Sequence, residues 1–541
     1  MTIKNGAMAM ASLVDRRFVH VALLATFSLL ALSGLTAVSS AQQPGGGVVW
    51  EPSMRVPSPE ETSSWFPDLA VDSEGRVHLV WCETNHKAMN YAQPGDDIDP
   101  SRFERVYYSM WDGQQWSPYN DIVPPQQDII RNAIAVDRYD TLHLLFEFTP
   151  SVPGYGLYYK QASANAASSA AAWSFPRLVN GRNFTYMGDI AVFQDTLHIV
   201  YDDRGAERGV CRGCADIFYR HSTDRGRTWS APVALFPTGT GSSRAQIEID
   251  RTGAIHVAWD EGWDRLAGRS GDPEYGVYMY SADAGNTWSV PTVITYPVST
   301  NVQLSVGSNG QGGVMLVWRT TSPEYPGIYY VWSTDQGQSW SSPQAIPNIV
   351  AVRWNDPFDL YDMATDSAGH IHLLVGGYVS TNLAAPPSDG SPHGLYHLEW
   401  DGDRWSFPAP VYRGSWYPMY PHLVVGGGNQ LHATWFIRED LWKDETPHQV
   451  WYAHGQSQAP TETPVAPPTF TPSPQPTPTP KPISMSTAIP HPELNSGTSG
   501  LPEGLYTESD DVLRLTVALS PVVLLVLVIV AIKLGWFRRP G

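Results

Sequence analysis

The chain is poor in cysteine, in charge and in basic residues, and each shortage removes a class of protein. Three cysteines in 541 residues cannot hold a disulfide scaffold. Lysine and arginine number 34 against 53 acidic residues, for a net charge of −19. Neither nucleic acid nor an anionic membrane surface is therefore expected as the main partner. Only 16% of the residues are charged, while 26 tyrosines and 21 tryptophans supply enough apolar surface for a large core. Long apolar runs are missing too, except at the two ends.

Those ends carry addresses. Arg16 and Arg17 precede an apolar run from Phe18 to Val38, and Ser39-Ser40-Ala41 offers small residues before Gln42. Residues 1–41 thus read as a signal peptide or an uncleaved anchor. Leu515 to Ile532 holds no charge and, at about 1.5 Å per residue, would span roughly 27 Å. Glu508, Asp510 and Asp511 precede it, and Lys533, Arg538 and Arg539 follow it. The asymmetry predicts one transmembrane helix over 512–534 with a short basic cytoplasmic tail, 535–541, and a head outside the cell membrane. Before it, residues 457–511 are rich in proline and threonine, forbid helix and sheet, and read as an extended stalk.

What fills residues 42–456 is a repeat. Ser222-Thr-Asp224-Arg-Gly226-Arg-Thr-Trp229, Ser281-Ala-Asp283-Ala-Gly285-Asn-Thr-Trp288 and Ser333-Thr-Asp335-Gln-Gly337-Gln-Ser-Trp340 are three copies of one loop, the Asp-box. Its carboxylate can accept backbone N–H groups in a tight turn, its glycine supplies a positive φ, and its tryptophan plugs apolar space. Around it, each unit holds a strand, a tight turn, a second strand ending in an aromatic, a third strand with a Tyr-Tyr-like pair, and a Trp-Ser-x-Pro opening. The first reads Leu69 to Trp81, and the pattern recurs at Ile134, Ile190, Ile247, Leu304, Met363 and Leu423. The last unit lacks the Trp-Ser-x-Pro strand, and Val48-Val49-Trp50-Glu51-Pro52 at the front matches it. An all-β, seven-bladed propeller of four-stranded antiparallel blades is expected, closed by an N-terminal strand, with six blades as the alternative.

The Asp-boxes resemble those of the sialidase (neuraminidase) superfamily, whose propellers include glycosidases and non-enzymatic heads. The resemblance implies three arginines around a sugar carboxylate, a tyrosine nucleophile activated by a glutamate, and an aspartate acid/base. It also implies an Arg-Ile-Pro motif, for which Met54-Arg55-Val56-Pro57 is a near match that the internal alignment places on an outer strand.

Strand alternation sorts the loops. With strands A to D running outward, D–A and B–C loops share one face and the Asp-boxes lie on the other, so Asp224, Asp283 and Asp335 are expected to be structural. His78, His143, His198, His256, His372 and His432 recur at one position in six units. They would be spread around the ring, too far apart for one ion, and no metal and no cofactor are expected. Before strand A the units carry Phe66, Arg131, Met187, Arg244, Asn301, Leu360 and Tyr420. Two residues on stand Asp68, Ala133, Asp189, Gln246, Gln303, Asp362 and His422.

A regular repeat that diversifies at one face marks a ligand site. The candidate catalytic set is Asp68, Glu261 and Tyr420, with Tyr361 nearby. Arg131, Arg244, Arg353, Asp189 and Trp354 are the candidate substrate contacts. Cys211 and Cys214 form either a small disulfide ring or a zinc half-site. The expected partner of this monomeric head is a glycan or glycoprotein. Hydrolysis of terminal acidic sugars and non-catalytic binding, by an adhesin or a glycan- or protein-binding propeller, both remain open.

Overall fold

The computed structural model describes residues 47–463 apart from 60–61, 85–103, 127–128, 149–155, 182, 184, 205–213, 239, 265–268, 296–302, 321–326, 351–360, 381–392 and 440–446. The signal and membrane-helix assignments and the stalk from residue 464 onward lie outside these residues, whereas the first stalk residues pack on the head: Asn429 donates to the Ala459 carbonyl at 3.0 Å and the Glu462 N–H to the Gly427 carbonyl at 2.8 Å. Among the described residues no helix is long and apolar enough to cross a membrane.

Seven antiparallel sheets follow one another along the chain. In blade one, strands A to D are Ser63–Val71, Val77–Thr84, Glu104–Trp111 and Asn120–Gln126, each hydrogen-bonded to the next. Their alternating apolar residues, Val77, Leu79 and Trp81 among them, are buried between neighbouring blades. The A strands pack against one another around the axis, the last (Tyr417–Gly426) against the first (Ser63–Val71).

Closure is made by the N-terminus. Val49–Trp50 pairs with Gln456 and Gly455 of the last strand, and Met54–Arg55 pairs with Tyr452 and Trp451 of the same strand. Arg55 therefore stands on an outer strand, and the Arg-Ile-Pro-like tetrapeptide is part of blade closure.

One aromatic contact recurs at the junctions between successive blades. A strand-C ring of one blade meets, edge to face or tilted, the tryptophan that opens strand D of the following blade. The pairs are Tyr108–Trp173, Tyr159–Trp229, Tyr219–Trp288, Tyr278–Trp340 and Tyr330–Trp405, and Tyr452–Trp116 closes the circle. In the remaining junction Trp50 lies 5.5 Å from His397 of blade six. The N-terminal strand thus carries both the hydrogen bonds and the tryptophan that blade seven needs.

The repeated histidines orient these tyrosines. Nδ1 of His78, His143, His198, His256 and His432 lies 2.6–2.8 Å from the hydroxyl of Tyr108, Tyr159, Tyr219, Tyr278 and Tyr452 respectively. His372 makes the same contact with His397 at 2.9 Å. On the other ring nitrogen, Asp72 and Asp366 from the A–B turns stand 3.0 and 3.1 Å from His78 and His372.

The Asp-boxes complete the junction. In the second of them, Asp283 accepts the N–H and hydroxyl of Thr287 (2.8 and 2.6 Å), and Gly285 N–H donates to Ser281 Oγ (2.9 Å). Gly285 sits at φ +85°, and a Cβ there would meet the Tyr219 hydroxyl at 2.1 Å. Only glycine satisfies both demands.

Trp50→Ala removes the seventh clasp. It should cost about 2–3 kcal/mol in urea unfolding, at the low end of buried tryptophan truncations because the ring is half-exposed. Val49→Ser, at a neighbour 70% exposed, should stay within about 0.5 kcal/mol.

Candidate functional site

The A strands do not run straight to the axis. Register shifts of one extra A-strand residue fall between Trp65 and Asp68, Ile129 and Asn132, Ser243 and Gln246, and Met419 and His422. Phe66, Arg244 and Tyr420 lie within three of them and adopt φ of 49°, 63° and 51°, and Gln303 in blade five adopts 53°. Four non-glycine residues in the left-handed region at one repeat position each cost of the order of 1 kcal/mol, the kind of strain that gathers at binding surfaces.

Pairing corrects the register of blade five. Ser305 faces Val317 as Asp68 faces Val80, so Ser305 takes the axial position and Gln303 the strained one. The expectation placed Gln303 and Asn301 there. Leu304 and Val306 are both apolar, and a period-two pattern cannot tell a two-residue slip from none.

Below the bulges the strands enclose an axial cavity of ≈ 160 Å³, lined by Asp68, Asn132, Asp189, Gln246, Glu248, Asp362, Tyr420 and His422 with apolar neighbours. Three of its aspartates stitch blades together. Asp68 accepts the N–H of Leu69 and, across the junction, that of Ile134, both at 2.7 Å. Asp189 accepts from Ile190 (2.8 Å) and Ile247 (2.9 Å), and Asp362 accepts from Leu423 (2.9 Å). His422 Nδ1 stands 3.3 Å from Asp68 and 3.8 Å from Asp362. Burial outweighs the amide donors and pushes Asp68 and Asp189 up to about 7 and Asp362 up to about 6. Glu248 is pushed up to about 8, by burial first and then by Asp362, Asp189 and Asp250. Its carboxylate makes no hydrogen bond or ion pair among the described residues.

Of the candidate residues, Asp68, Asp189 and Tyr420 are brought together here. Tyr420 is 2% exposed, packs edge-on against Phe66 at 5.2 Å, and has its phenol pKa raised by burial.

Arg131 and Arg244 do not line the cavity. Arg131 is 1% exposed; its guanidinium lies 3.5 Å over the Phe66 ring and 5.3 Å from that of Tyr420, and it donates to the Tyr186 hydroxyl at 3.1 Å. Arg244 donates to Asp260 at 2.7 Å, and Asp260 also accepts the N–H groups of Gln303 (2.9 Å) and Leu304 (2.8 Å) of the next blade. Through Asp260, Arg244 thus belongs to a tie between blades four and five.

Glu261 also lies elsewhere. It accepts the hydroxyls of Ser242 (2.7 Å), Thr240 (2.8 Å) and Thr238 and the indole N–H of Trp259 (3.0 Å). Glu83 repeats the arrangement in blade one with Ser64, Thr62 and Trp81. A residue that recurs with the same partners in two blades is serving the repeat. Tyr361 is buried and donates to the Gln303 carbonyl. Arg353 and Trp354 lie outside the described residues, as does Cys211; Cys214 is disulfide-bonded and Cys82 is a buried free thiol. Among the described residues no group of three or more His, Cys, Asp or Glu is placed to hold a metal ion.

Sequence reading passed over Asn132, Glu147, Glu248 and Asp260. Glu147 is fully buried, and its carboxyl is raised well above the ordinary range by burial and then by Asp202. The available signal was the residue after the strand-B aromatic, which runs Cys82, Glu147, Asp202, Asp260, Arg319 and varies in charge where the rest of the strand does not.

With this geometry in hand, residues 191–432 match the BNR repeat-like domain. That stretch runs from the first strand of blade three into the second strand of blade seven. The matched stretch carries BNR-like repeats, and it lies within a propeller of seven four-stranded blades. Among solved structures the chain is similar to a protein of unknown function from Dyadobacter fermentans, with 14% identity over 76% of this chain and 100% of that one and a TM-score of 0.44. It is also similar to the NanB sialidase of Streptococcus pneumoniae, with 14% identity over 76% and 70% and a TM-score of 0.40. A third is a sialidase of Trypanosoma rangeli, with 12% identity over 75% and 59% and a TM-score of 0.39. No curated protein matches.

Two outcomes follow from the charges. Arg244→Ala strands Asp260 in the interior and should destabilise the head by about 3 kcal/mol in chemical denaturation. Glu248→Gln should act oppositely. A carboxyl whose folded pKa lies above its unfolded value stabilises below about pH 4 and loses that contribution as pH rises through about 8. Its removal should therefore raise the melting temperature at pH 9, by about 1 kcal/mol of stability after allowance for access from the cavity, and change nothing near pH 4.

Proposed function

We propose that this chain displays a seven-bladed recognition head at a cell surface, and that the head binds its ligand through the face bearing the D–A and B–C loops without hydrolysing it. The single observation that carries the reading is the fate of the two described arginines. A sialidase-type site needs guanidiniums free to clamp a carboxylate in a bidentate grip. Arg131 and Arg244 are 1% and 3% exposed, one stacked on Phe66 and the other paired with Asp260.

The remaining catalytic parts point the same way. Tyr420 is buried with its phenol pKa raised, which disfavours the phenolate a nucleophile requires. Glu261 is held by three hydroxyls and an indole, in a cage that blade one reproduces. Surface display rests on the terminal segments: the apolar run after Arg16 and Arg17, the proline-rich stretch, and the uncharged run from Leu515 to Ile532. The ligand, a glycan or glycoprotein, would be read by the long B–C connections of blades one and three, Cys82 to Glu104 and Asp202 to Ala215, and by the extended B–C hairpin of blade four, Asp260 to Glu274.

The test is turnover of a fluorogenic sialoside by the full chain. The expected result is a rate equal to that without protein, unchanged in Tyr420→Phe. Hydrolysis by the wild type that disappears in Tyr420→Phe would establish a sialidase and overturn the proposal.

A further inference from the structure

The chain does not leave the head where its last strand ends. Beyond Gln456, residues 457–462 lie along the A–B turns and are held by partners from three blades. In blade seven, Asn429 donates to the Ala459 carbonyl, and its own carbonyl accepts the Ser457 N–H at 2.9 Å. In blade six, Ser367 donates to the Pro460 carbonyl and Ser457 Oγ donates to Asp366 at 3.1 Å. In blade four, Arg251 meets Glu462 at 3.1 Å and also donates to the Asp366 carbonyl at 3.1 Å. Asn429, Ser457 and Ala459 are buried. A Cβ at Gly428, where φ is +84°, would stand 2.9 Å from both the Pro460 oxygen and the Glu462 nitrogen, so the turn has the shape that this segment needs.

The Ser457 contact falls on a junction that departs from the repeat. In blade one, Asp72 is met by His78 and by the guanidinium of Arg76. The residue matching Arg76 in blade six is His370, which turns to Glu399 at 2.8 Å and stands 4.0 Å from Asp366. The Ser457 hydroxyl takes that place on Asp366 Oδ2. The same oxygen stands 3.1 Å from His372, which lies 2.9 Å from His397, the ring against which Trp50 packs. Asp366, His372 and His397 are fully buried. A line of contacts thus runs from the C-terminal segment to the tryptophan of the N-terminal strand. The two ends also share strand C of blade seven, whose Gln456 precedes the segment and pairs with Val49.

We propose that residues 457–462 are a latch on ring closure. Seated, they hold Asp366, and through it the His372–His397 pair, in the position that receives Trp50. Released, they loosen the N-terminal strand. The buried carboxylate is the physical reason. Without the Ser457 hydroxyl, Asp366 keeps His372 and the turn amides of Ala368 and His370, and a buried acceptor that loses a donor leans on those that remain. Of these His372 is a side chain and can follow, at the expense of its contact with His397. The Arg251–Glu462 pair is about half-exposed at both ends and adds little of its own. The latch is independent of what the head binds and of whether it turns over a substrate.

The experiment is hydrogen exchange read by mass spectrometry on the full chain, comparing the wild type with Ser457→Ala, Asn429→Ala and Arg251→Ala. In the wild type the N–H groups of Ser457 and Glu462 should be protected. Ser457→Ala should speed exchange over residues 49–56, where Glu51 and Val56 donate to His454 and Val450, by about tenfold. Asn429→Ala unseats the segment at a different point and should do the same. Exchange in Thr196–Asp203 of blade three should stay at the wild-type rate in both, which also shows that the variants are folded. Arg251→Ala should leave residues 49–56 unchanged. Unprotected amides at Ser457 and Glu462 in the wild type would overturn the proposal. So would a closing strand that keeps its wild-type rate in either Ser457→Ala or Asn429→Ala, an acceleration shared equally by blade three, or an Arg251→Ala effect as large as that of Ser457→Ala.

Discussion

A strand-C tyrosine set edge-to-face with a tryptophan of the next blade, repeated around a circle, is the contact on which the rest of this molecule depends. A propeller blade cannot bury both its faces alone, and neighbouring blades have few other reasons to keep a fixed angle. The strand-C tyrosine supplies that angle. Its hydroxyl is held by a histidine from its own blade, and its ring stands against the strand-D tryptophan of the next. The Asp-box glycine lets the backbone come close enough for the contact, since any Cβ at Gly226, Gly285 or Gly337 would overlap the tyrosine. Asp-box, histidine and Trp-Ser-x-Pro strand are therefore three parts of one junction. The N-terminal strand belongs to the same device, because Trp50 makes the last contact and its neighbours pair with the last strand.

A second tier of fastening lies nearer the axis and uses charge. Asp68, Asp189 and Asp362 reach across junctions to amides of the following blade, and Asp260 does so while paired with Arg244. Residues of the types that catalysis would use are thus engaged in holding blades together. Buried charges of this sort stabilise weakly as pairs but fix a unique arrangement, because removing one partner leaves the other uncompensated. Among the described residues, the Glu248 carboxylate at this cavity and the buried Asn132 Oδ1 beside it have no hydrogen-bond donor.

Much of the architecture was legible in the residues, and the limits are physical. The blade count and the closure followed from the missing strand of the last unit and its match at Trp50, because a repeat exposes its own omissions. The structural role of the six histidines followed from their placement on separate blades. Register in blade five did not follow, since Leu304 and Val306 fit the same alternation. The site was less legible than the fold. Sequence showed that Arg131 and Arg244 interrupt a pattern, but not that one would lie on Phe66 and the other meet Asp260. Those partners come from different strands and, for Phe66, a different blade. Glu248 was passed over because an acid alternating with Gln246 on a strand looks like ordinary solvated polarity until the strand is seen to face the axis.

The central claim is that the mouth arginines belong to the fold and not to a ligand. A double-mutant cycle on Arg244 and Asp260 tests it most directly, with Arg244→Ala, Asp260→Asn and the double variant compared by chemical denaturation. The account predicts strong coupling of about 2–3 kcal/mol, the second removal costing far less than the first because the stranded charge has gone. Additive effects would contradict it, by showing that Arg244 and Asp260 act independently and that the guanidinium is available for other work.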